Sequence, residues 1–500
     1  MFLAILFFRN ICYIIFRLKK QRASFVALKS GQNRIAEGVI AAAKSAEQAL
    51  VKVNWYYVKG VSKGMSQRKH LPSIHVPHHK NTAACETVTM PIPDEVSISM
   101  SQNIGAPCQP LVEKGDYVKV GQRIGDVQAF VSAPIFSSVS GTVKSIDKVR
   151  GSMGGFETHI VIEPDKKQEV SEEVQVPVIN SFEDFIKAAR DSGMVGLGGA
   201  SFPTHVKLNP KNLDECEYLV VNAAECEPFI TTDNREMVEN GQDVLDGMKM
   251  IMQWLNLKKG FIGIETNKPD AIANLKRLIE QNEIDDIEIV PLPSSYPKGA
   301  ERVLVYEVTG KTMNAGVLPA QLGVILDNVS TIGVLAEYLK TGMPIVRRRV
   351  TVDGDAVTEP KNVYVPIGTR IADVVAFCGG YKKEPRKIIM GGPMMGRATK
   401  SDESPTMKNT SAILCFSQEM AEVKEETACL NCQRCHSACP FGLMPSIFAD
   451  AYEAKDVDKL NRFNVMQCME CGSCSYTCPA RRPLALTNKL AKMMVKEASK

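Results

Sequence analysis

The chain has 500 residues, 44% of them hydrophobic and 23% charged. That is too long for one hydrophobic core and predicts three or more domains of ordinary globular composition. A net charge of +4 and only two tryptophans give no basic or base-stacking signature, so no nucleic-acid partner is expected.

The N-terminus opens on an apolar run, residues 1–16, followed by RLKKQR. The run is shorter than the roughly 20 residues of a spanning helix, and Arg9 interrupts it. No A-x-A-type cleavage site follows directly. Residues 32–64 read as a separate helical stretch. The expectation is that 1–64 is an extension outside the folded machinery, with Met65 as a candidate true start. The rival reading is a membrane anchor. Residues 66–92 are rich in His, Pro, Thr and Lys and predict an irregular, solvated arm. His75, His78 and His79 have no helical register there and are not expected to bind metal.

From about 93 to 165, period-two alternation punctuated by glycine predicts short strands. Lys114-Gly115-Asp116 reads as a turn, and Ala133-Pro134 and Ser140-Gly141 bracket a strand. The wording KGDYVKVGQRIG…VSAPIFSSVSGTV resembles the barrel-sandwich hybrid of biotinyl and lipoyl carriers. Those carriers need an exposed lysine at a hairpin tip. The matching segment, Phe130-Val131-Ser132-Ala133-Pro134, has none, so a docking or structural module is expected.

From about 178 helices and strands alternate. Ser181 and Asp184 form a capping-box signature for a helix through Arg190. Strands are predicted at Tyr218–Val221, Phe261–Glu265, Ile287–Pro291 and Val324–Leu326, with helices over 268–282 and 329–340. This pattern predicts an α/β layer with ligand loops at the strand C-termini. Residues 346–400 return to strands around a helix at 369–377, as in a small β-grasp module. From 411 the chain reads as helical. Pro483 opens a last helix with Leu484, Leu486, Leu490 and Met493 down its face. The expected fold class is thus multidomain α/β + β: an extension (1–64), a barrel-sandwich hybrid (65–170), a Rossmann-like α/β domain (171–345), a β-grasp module (346–410) and an α-helical domain (411–500).

Eight of the fifteen cysteines form two copies of C-x2-C-x2-C-x3-C-P. The first is Cys429, Cys432, Cys435 and Cys439 before Pro440; the second is Cys468, Cys471, Cys474 and Cys478 before Pro479. This spacing holds [4Fe–4S] clusters, and in two-cluster ferredoxins the fourth cysteine of each run ligates the other cluster. The expected sites are therefore Cys429, Cys432, Cys435 and Cys478 for cluster 1, and Cys468, Cys471, Cys474 and Cys439 for cluster 2. Structural zinc favours separated CxxC pairs, and disulfides would imply an oxidising compartment. Cys12, Cys85, Cys108, Cys216, Cys378 and Cys415 read as small buried residues. Cys226 is set apart by its place between two glutamates.

A second informative segment runs from Gly196 to Lys207 (GLGGASFPTHVK). As a dinucleotide fingerprint it is defective, because Ser201 takes the third glycine position. Its physics remains: Gly198 and Gly199 expose backbone N–H groups and Lys207 adds charge, which suits a phosphate or a flat ring. Asn222-Ala-Ala-Glu-Cys-Glu-Pro228 follows a predicted strand and puts Glu225 and Glu227 at its C-terminal end, where ribose or nicotinamide is held in such folds.

Together GLGGASFPTHVKL, VNAAECEPFITTDNR, YPKGAE, DNVST and the doubled cysteine run resemble, over about residues 66–500, the C subunits of Rnf-type complexes. These are the NAD(H)-linked subunits of membrane ion-pumping ferredoxin:NAD oxidoreductases, related to the flavoprotein subunit of respiratory complex I. The resemblance implies FMN, NAD(H) and two [4Fe–4S] clusters as cofactors, an FMN/NAD(H)-binding α/β domain and an SLBB-type β-grasp. It implies that Gly196, Gly198, Gly199 and Lys207 cradle FMN and nucleotide, with Phe202 stacking beside them. Asn222 and Glu225 would touch the flavin, Glu227 the nicotinamide nucleotide, Tyr296, Gly299 and Glu301 the dinucleotide, and Asn328 and Thr331 the FMN phosphate. Three positions depart from the pattern: Ala224 replaces an aspartate of complex I, and Ser201 and Gln433 stand where glycine is usual.

The implied activity is exchange of a hydride for single electrons between NAD(H), flavin and the clusters. It requires no acid–base side chain, so no catalytic residue is expected. Implied partners are the other subunits of a membrane Rnf-type complex and, indirectly, ferredoxin, with the chain peripheral on the cytoplasmic face of the cell membrane. The alternative is a soluble NADH-dependent flavin/iron–sulfur reductase of cobalamin-reductase type. Such reductases generally carry the barrel module after the clusters, whereas here it comes first. The glycine and acidic segments oppose a third reading, a non-enzymatic scaffold.

Overall fold

A computed structural model describes residues 70–151 and 155–499. The expected extension at 1–64, its anchor alternative, Met65 and Cys12 lie outside the described residues. Among the described residues, no helix is long and apolar enough to cross a membrane.

The centre is a four-stranded, all-parallel sheet in the order Ile287–Leu292, Lys259–Glu265, Tyr218–Ala223, Val324–Asn328. Progress across the sheet reverses beside Tyr218–Ala223, and ligands of open parallel sheets bind at such a switch point. The strands are near-continuous apolar runs because both faces are covered. Leu219, Val221, Ile262 and Ile264 pack with Leu245, Met248, Ile332 and Leu335 in one core. Gly247 lets the helix Gly241–Trp254 lie against Val329–Thr341; a Cβ there would sit 2.7 Å from the Ile332 carbonyl oxygen. The helix Phe182–Asp191 starts as expected, with Ser181 Oγ accepting from Asp184 N at 3.1 Å. The returning half of the box goes elsewhere, since the Asp184 carboxylate accepts from Asn180 N.

N-terminal to this layer, the antiparallel strands Val96–Ser99, Phe156–Pro164, Gly141–Arg150 and Tyr117–Val118 form one sheet, and Gln109–Pro110, Arg123–Asp126 and Ile135–Phe136 another. They close on a shared core of Val96, Ile98, Ile124, Ile135, Val143 and Ile160. Phe130, where a carrier would present its lysine, stands 74% exposed.

The module after the α/β layer is a six-stranded sheet: Thr87–Thr89, Lys361–Pro366, Arg347–Asp353, Ala412–Phe416, Lys387–Met390, Arg397–Thr399. Ala412–Phe416, beyond residue 410, is an inner strand of it. The helix Ile371–Phe377 matches its expectation.

Two sequence expectations need correction. The arm at 66–92 is irregular over its described residues but docked rather than free, with residues such as His75 and Asn81 still exposed. Thr87–Thr89 pairs in parallel with Lys361–Pro366, Ile74 bridges Tyr296, and Val76 is buried. His79 stacks on Phe229 at 4.8 Å. The reason is partnership: the arm's polar atoms meet loop atoms far away in sequence. The last helix, Leu484–Ala498, buries Leu484, Asn488, Ala491 and Val495, while Leu486 and Met493 are about half exposed. The buried stripe runs through Asn488 because its amide faces cysteine sulfur, which an apolar count does not register.

Candidate functional site

The crevice at the switch point is walled by three pieces of chain. The first is the glycine loop, tied down from several modules. Gly196 N donates to Phe202 O at 2.8 Å. Leu197 N donates to the Thr331 hydroxyl at 3.0 Å, Asn409 Nδ2 to Gly199 O at 3.2 Å, and Ile104 N to Ser201 O at 3.0 Å. Gly199, at φ +134°, has open space where a side chain would stand, and a Cβ on Gly198 would press on Asn328 at 3.1 Å. Ser201 has φ +53°, the left-handed region that favours glycine. Lys207 Nζ pairs with Asp327 Oδ1 at 3.3 Å.

The second wall is the N-terminus of the helix Val329–Thr341, which has no acidic residue in its first turn. Asn328 caps it, accepting from Thr331 N at 3.2 Å and donating to Asp233 Oδ2 at 2.8 Å. Free N–H groups and the helix dipole at such an end suit a phosphate. Thr331 itself is fully buried and spends its hydroxyl on the glycine loop.

The third wall is the turn after Tyr218–Ala223. Asn222 Nδ2 donates to Gly299 O at 2.8 Å, and Gly299 N donates to Cys226 Sγ at 3.3 Å. Glu225, at φ +47°, accepts from Asp233 N at 2.7 Å, and its Oε2 is buried with no hydrogen-bond partner. Burial pushes its carboxyl up to about 7 against the pull of Lys80. Glu227 is likewise pushed up to about 7 by burial. Its Oε2 accepts from Met394 N at 2.9 Å, and its Oε1 is a second orphan. The structure thus turns Glu227 toward the loop Gly391–Gly396 of the SLBB-like sheet. Burial raises the Cys226 thiol far above its usual range, so it sits as an inert neutral group.

Sequence reasoning missed two lysines under this turn. Lys80 donates to the carbonyls of Glu225 (2.8 Å), Glu227 (2.9 Å) and Ile230. Lys268 donates to the Ala224 carbonyl at 2.6 Å and pairs with Glu265 at 3.5 Å. Neither carries a spacing signal, because each acts on backbone far away in the chain.

Tyr296 lies 1% exposed. Its hydroxyl donates to the Cys471 carbonyl at 2.6 Å, and its ring packs with Ile74, Ala438, Cys226 and Met394. Arg302 reinforces the contact, bonding Gln467 O and Oε1 at 2.8 and 2.9 Å and covering the Phe441 ring at 4.0 Å. Glu301 is exposed beside it, and Phe202 half-buried.

The eight cysteines converge as two cradles. One is lined by Cys439, Cys468, Cys471 and Cys474, the other by Cys429, Cys432, Cys435 and Cys478. Each cradle takes its fourth sulfur from the other run. The runs share backbone shape: Asn431 and Glu470 have φ of +52° and +62°, and Gln433 at +59° does without side-chain relief what Gly472 does at +82°. Four cysteines line each cradle, a donor set that suits a cubane cluster whose thiolates bind separate irons. Peptide N–H groups of Asn431 and Glu470 point at Cys429 and Cys468 sulfur, each at 3.4 Å, and Asn488 Nδ2 at Cys468 Sγ at 3.5 Å. Such bonds tune cluster potential. The open glycine cradle, the helix N-terminus and the orphaned carboxylate oxygens together fit a flat ring bearing a phosphate.

Comparison with known proteins agrees module by module. Residues 71–167 match the RnfC barrel sandwich hybrid domain, 189–337 the Nuo51 FMN-binding domain, 349–398 the SLBB domain and 421–479 the 4Fe-4S dicluster domain. The chain is 42% identical over 375 residues to the C subunit of the proton-translocating ferredoxin:NAD(+) oxidoreductase complex of Clostridium ljungdahlii, covering 74% of this chain and 81% of that one. It is 39% identical to the Na(+)-translocating counterpart of Acetobacterium woodii, covering 84% and 95%. It is 34% identical to the C subunit of the ion-translocating oxidoreductase complex of Rhodobacter capsulatus, covering 85% and 82%. FMN and [4Fe–4S] clusters are accordingly its cofactors and electron transfer its role. The chain belongs to the family of C subunits of the Rnf-type, ion-translocating ferredoxin:NAD(+) oxidoreductase complexes.

Proposed function

We propose that this chain is the NAD(H)-side subunit of its complex, peripheral on the cytoplasmic face of the membrane. It would exchange electrons between NAD(H) and the other subunits and, through them, ferredoxin. Bound FMN supplies the conversion between a hydride and single electrons. The chain's own residues bind and orient. Gly196, Gly198 and Gly199 offer backbone to a ring, while the helix end at Asn328 offers N–H groups to phosphate, with Lys207 beside it on Asp327. Asn222 and Glu225 face the ring edge, Gly299 lets its loop close on Cys226 and Ala224 behind them, and Phe202 and Glu301 line the dinucleotide side. Thr331, Glu227 and Tyr296 act one step back, holding the glycine loop, the Gly391–Gly396 loop and the cluster domain.

The observation that carries the reading is the bond from Tyr296 to the Cys471 carbonyl. It ties the Cys439/Cys468/Cys471/Cys474 cradle to the loop before Glu301, which supports putting that cluster on the nucleotide side. The other cradle opens outward at exposed Cys432 and at Leu430, 63% exposed. The first would therefore exchange electrons with the crevice and the second with the partner. Barrel-first module order supports membership of a complex over the soluble reductase. The test is anaerobic NADH titration of the purified chain. Bleaching of flavin followed by EPR signals of both clusters supports the reading, and flavin-free protein inert to NADH refutes it. Co-purification with integral membrane subunits separates it from the soluble reductase.

A further inference from the structure

We propose that Lys80 is a positioning residue for the flavin–nucleotide site, and that the N-terminal arm carrying it is a working part of that site. The inference rests on the flavin reading above. The turn from Ala224 to Ile230 shapes the crevice edge, yet Glu225 and Phe229 hold φ of +47° and +68°, where side-chain-bearing residues are strained. The bonds made within this stretch, Ile230 N to Pro228 O at 2.9 Å and Asp233 N to Glu225 Oε1 at 2.7 Å, leave the carbonyls of Glu225, Glu227 and Ile230 to be met from elsewhere.

Lys80 meets them. An ammonium has three N–H donors, and here they meet three carbonyls of one turn, those of Glu225, Glu227 and Ile230. The arm is zipped on either side of it. Phe229 N donates to His78 O at 2.9 Å, the Thr82 and Thr231 hydroxyls meet at 2.6 Å, and the His79 ring lies flat on Phe229. Further back, Leu71 N donates to Glu307 Oε1 at 2.9 Å and buried Lys298 to Leu71 O at 3.1 Å. The arm is built in.

The second observation is charge. Lys80 Nζ lies 3.8 Å from Glu225 Oε2, the buried oxygen without a hydrogen bond. The other charged groups acting on Glu225 are Lys268 and Asp233, and Glu265 faces both lysines. Glu227 also feels Lys80, so removing Lys80 leaves Lys268 against Glu225, Glu227, Glu265 and Asp233, and Glu225 stays neutral to higher pH. Lys80 also lies outside residues 189–337, the part matching the FMN-binding family, and inside the barrel match at 71–167. The flavin fold is completed by a residue from another module.

The test uses the full chain with clusters loaded and flavin removed, titrated with FMN by fluorescence between pH 6 and 8. Lys80→Met should weaken FMN binding by roughly tenfold or more, as loss of a charged anchor with three bonds implies. It should also move the pH midpoint of binding upward, with cluster absorbance unchanged. A purely structural role would not move that midpoint. If K80M does not load clusters, Lys80→Arg is read instead: a planar fork cannot serve three carbonyls around one point, so FMN binding should still weaken about threefold or more. FMN binding within twofold of wild type, in K80M or in the arginine variant read for it, overturns the proposal. A wild-type chain that takes up no FMN refutes the flavin reading, and this inference with it.

Discussion

Removing one hydroxyl, by Tyr296→Phe, should loosen one iron–sulfur cluster and spare the other. The ring stays and no cavity forms, so the change isolates the 2.6 Å bond to the Cys471 carbonyl. At 1% exposure water cannot replace it, and an unpaired buried carbonyl costs about 1–3 kcal/mol. That cost falls on the closed state of the Cys468–Cys474 loop. If chelator reaches the cluster through local opening, loss of the cluster in the Cys439/Cys468/Cys471/Cys474 cradle should speed up roughly 5- to 150-fold. The assay is bleaching by an iron chelator with EPR to separate the two clusters. Tyr296→Ala adds the loss of a buried ring, worth about 3–5 kcal/mol, and should destabilise the same cluster further. Equal rates for Y296F and wild type, or equal acceleration of both clusters, would refute the claim that Tyr296 seats this cradle on the nucleotide domain.

Cys439→Ser should damage the cluster built mainly by the second cysteine run, and Cys478→Ser the one built mainly by the first; EPR loss confined to the sequence-local cluster would contradict the cradles. Glu227, with its folded pKa raised to about 7, holds more protons folded than unfolded between about pH 4.5 and 7. Its contribution therefore falls as pH rises through that window, by at most about 3 kcal/mol. Urea denaturation of Glu227→Gln should show a flatter pH dependence there; an unchanged slope counts against it. Gly392→Ala would put a Cβ 2.2 Å from Glu227 Oε2, so the Gly391–Gly396 loop must shift and the thermal midpoint should drop; a midpoint equal to wild type contradicts that packing. Ser201→Gly relieves a left-handed backbone, worth about 1 kcal/mol, and should raise the thermal midpoint; an unchanged or lower midpoint contradicts strain at that position.

The cysteine cradles were legible because ligand spacing is local: three sulfurs lie within one turn of chain, and only the fourth needs the fold. The glycine loop and strand C-termini were legible from alternation and turn chemistry. Lys80, Lys268 and the Gly391–Gly396 loop were not, since a lysine that meets backbone carbonyls leaves no complementary residue type to detect. Tyr296 and Glu227 stand in motifs that the sequence displays, but which neighbour each faces depends on how the modules dock. The misassigned face of Leu484–Ala498 has the same origin: Asn488 is buried for sulfur, and hydropathy scores it as solvent-facing.

The arm's edge strand has a consequence for synthesis. Thr82 and Asn362, which bond at 2.8 Å, are separated by 280 residues, and Thr87–Thr89 finds its partner strand only at Asn362–Tyr364. During translation the arm emerges well before its partner strand and waits while more than half of the chain is made. Domains fold as units in order of emergence, and contacts this distant in sequence form late. The barrel and the parallel sheet can therefore be in place before the arm closes over them, making arm docking the step that completes the crevice.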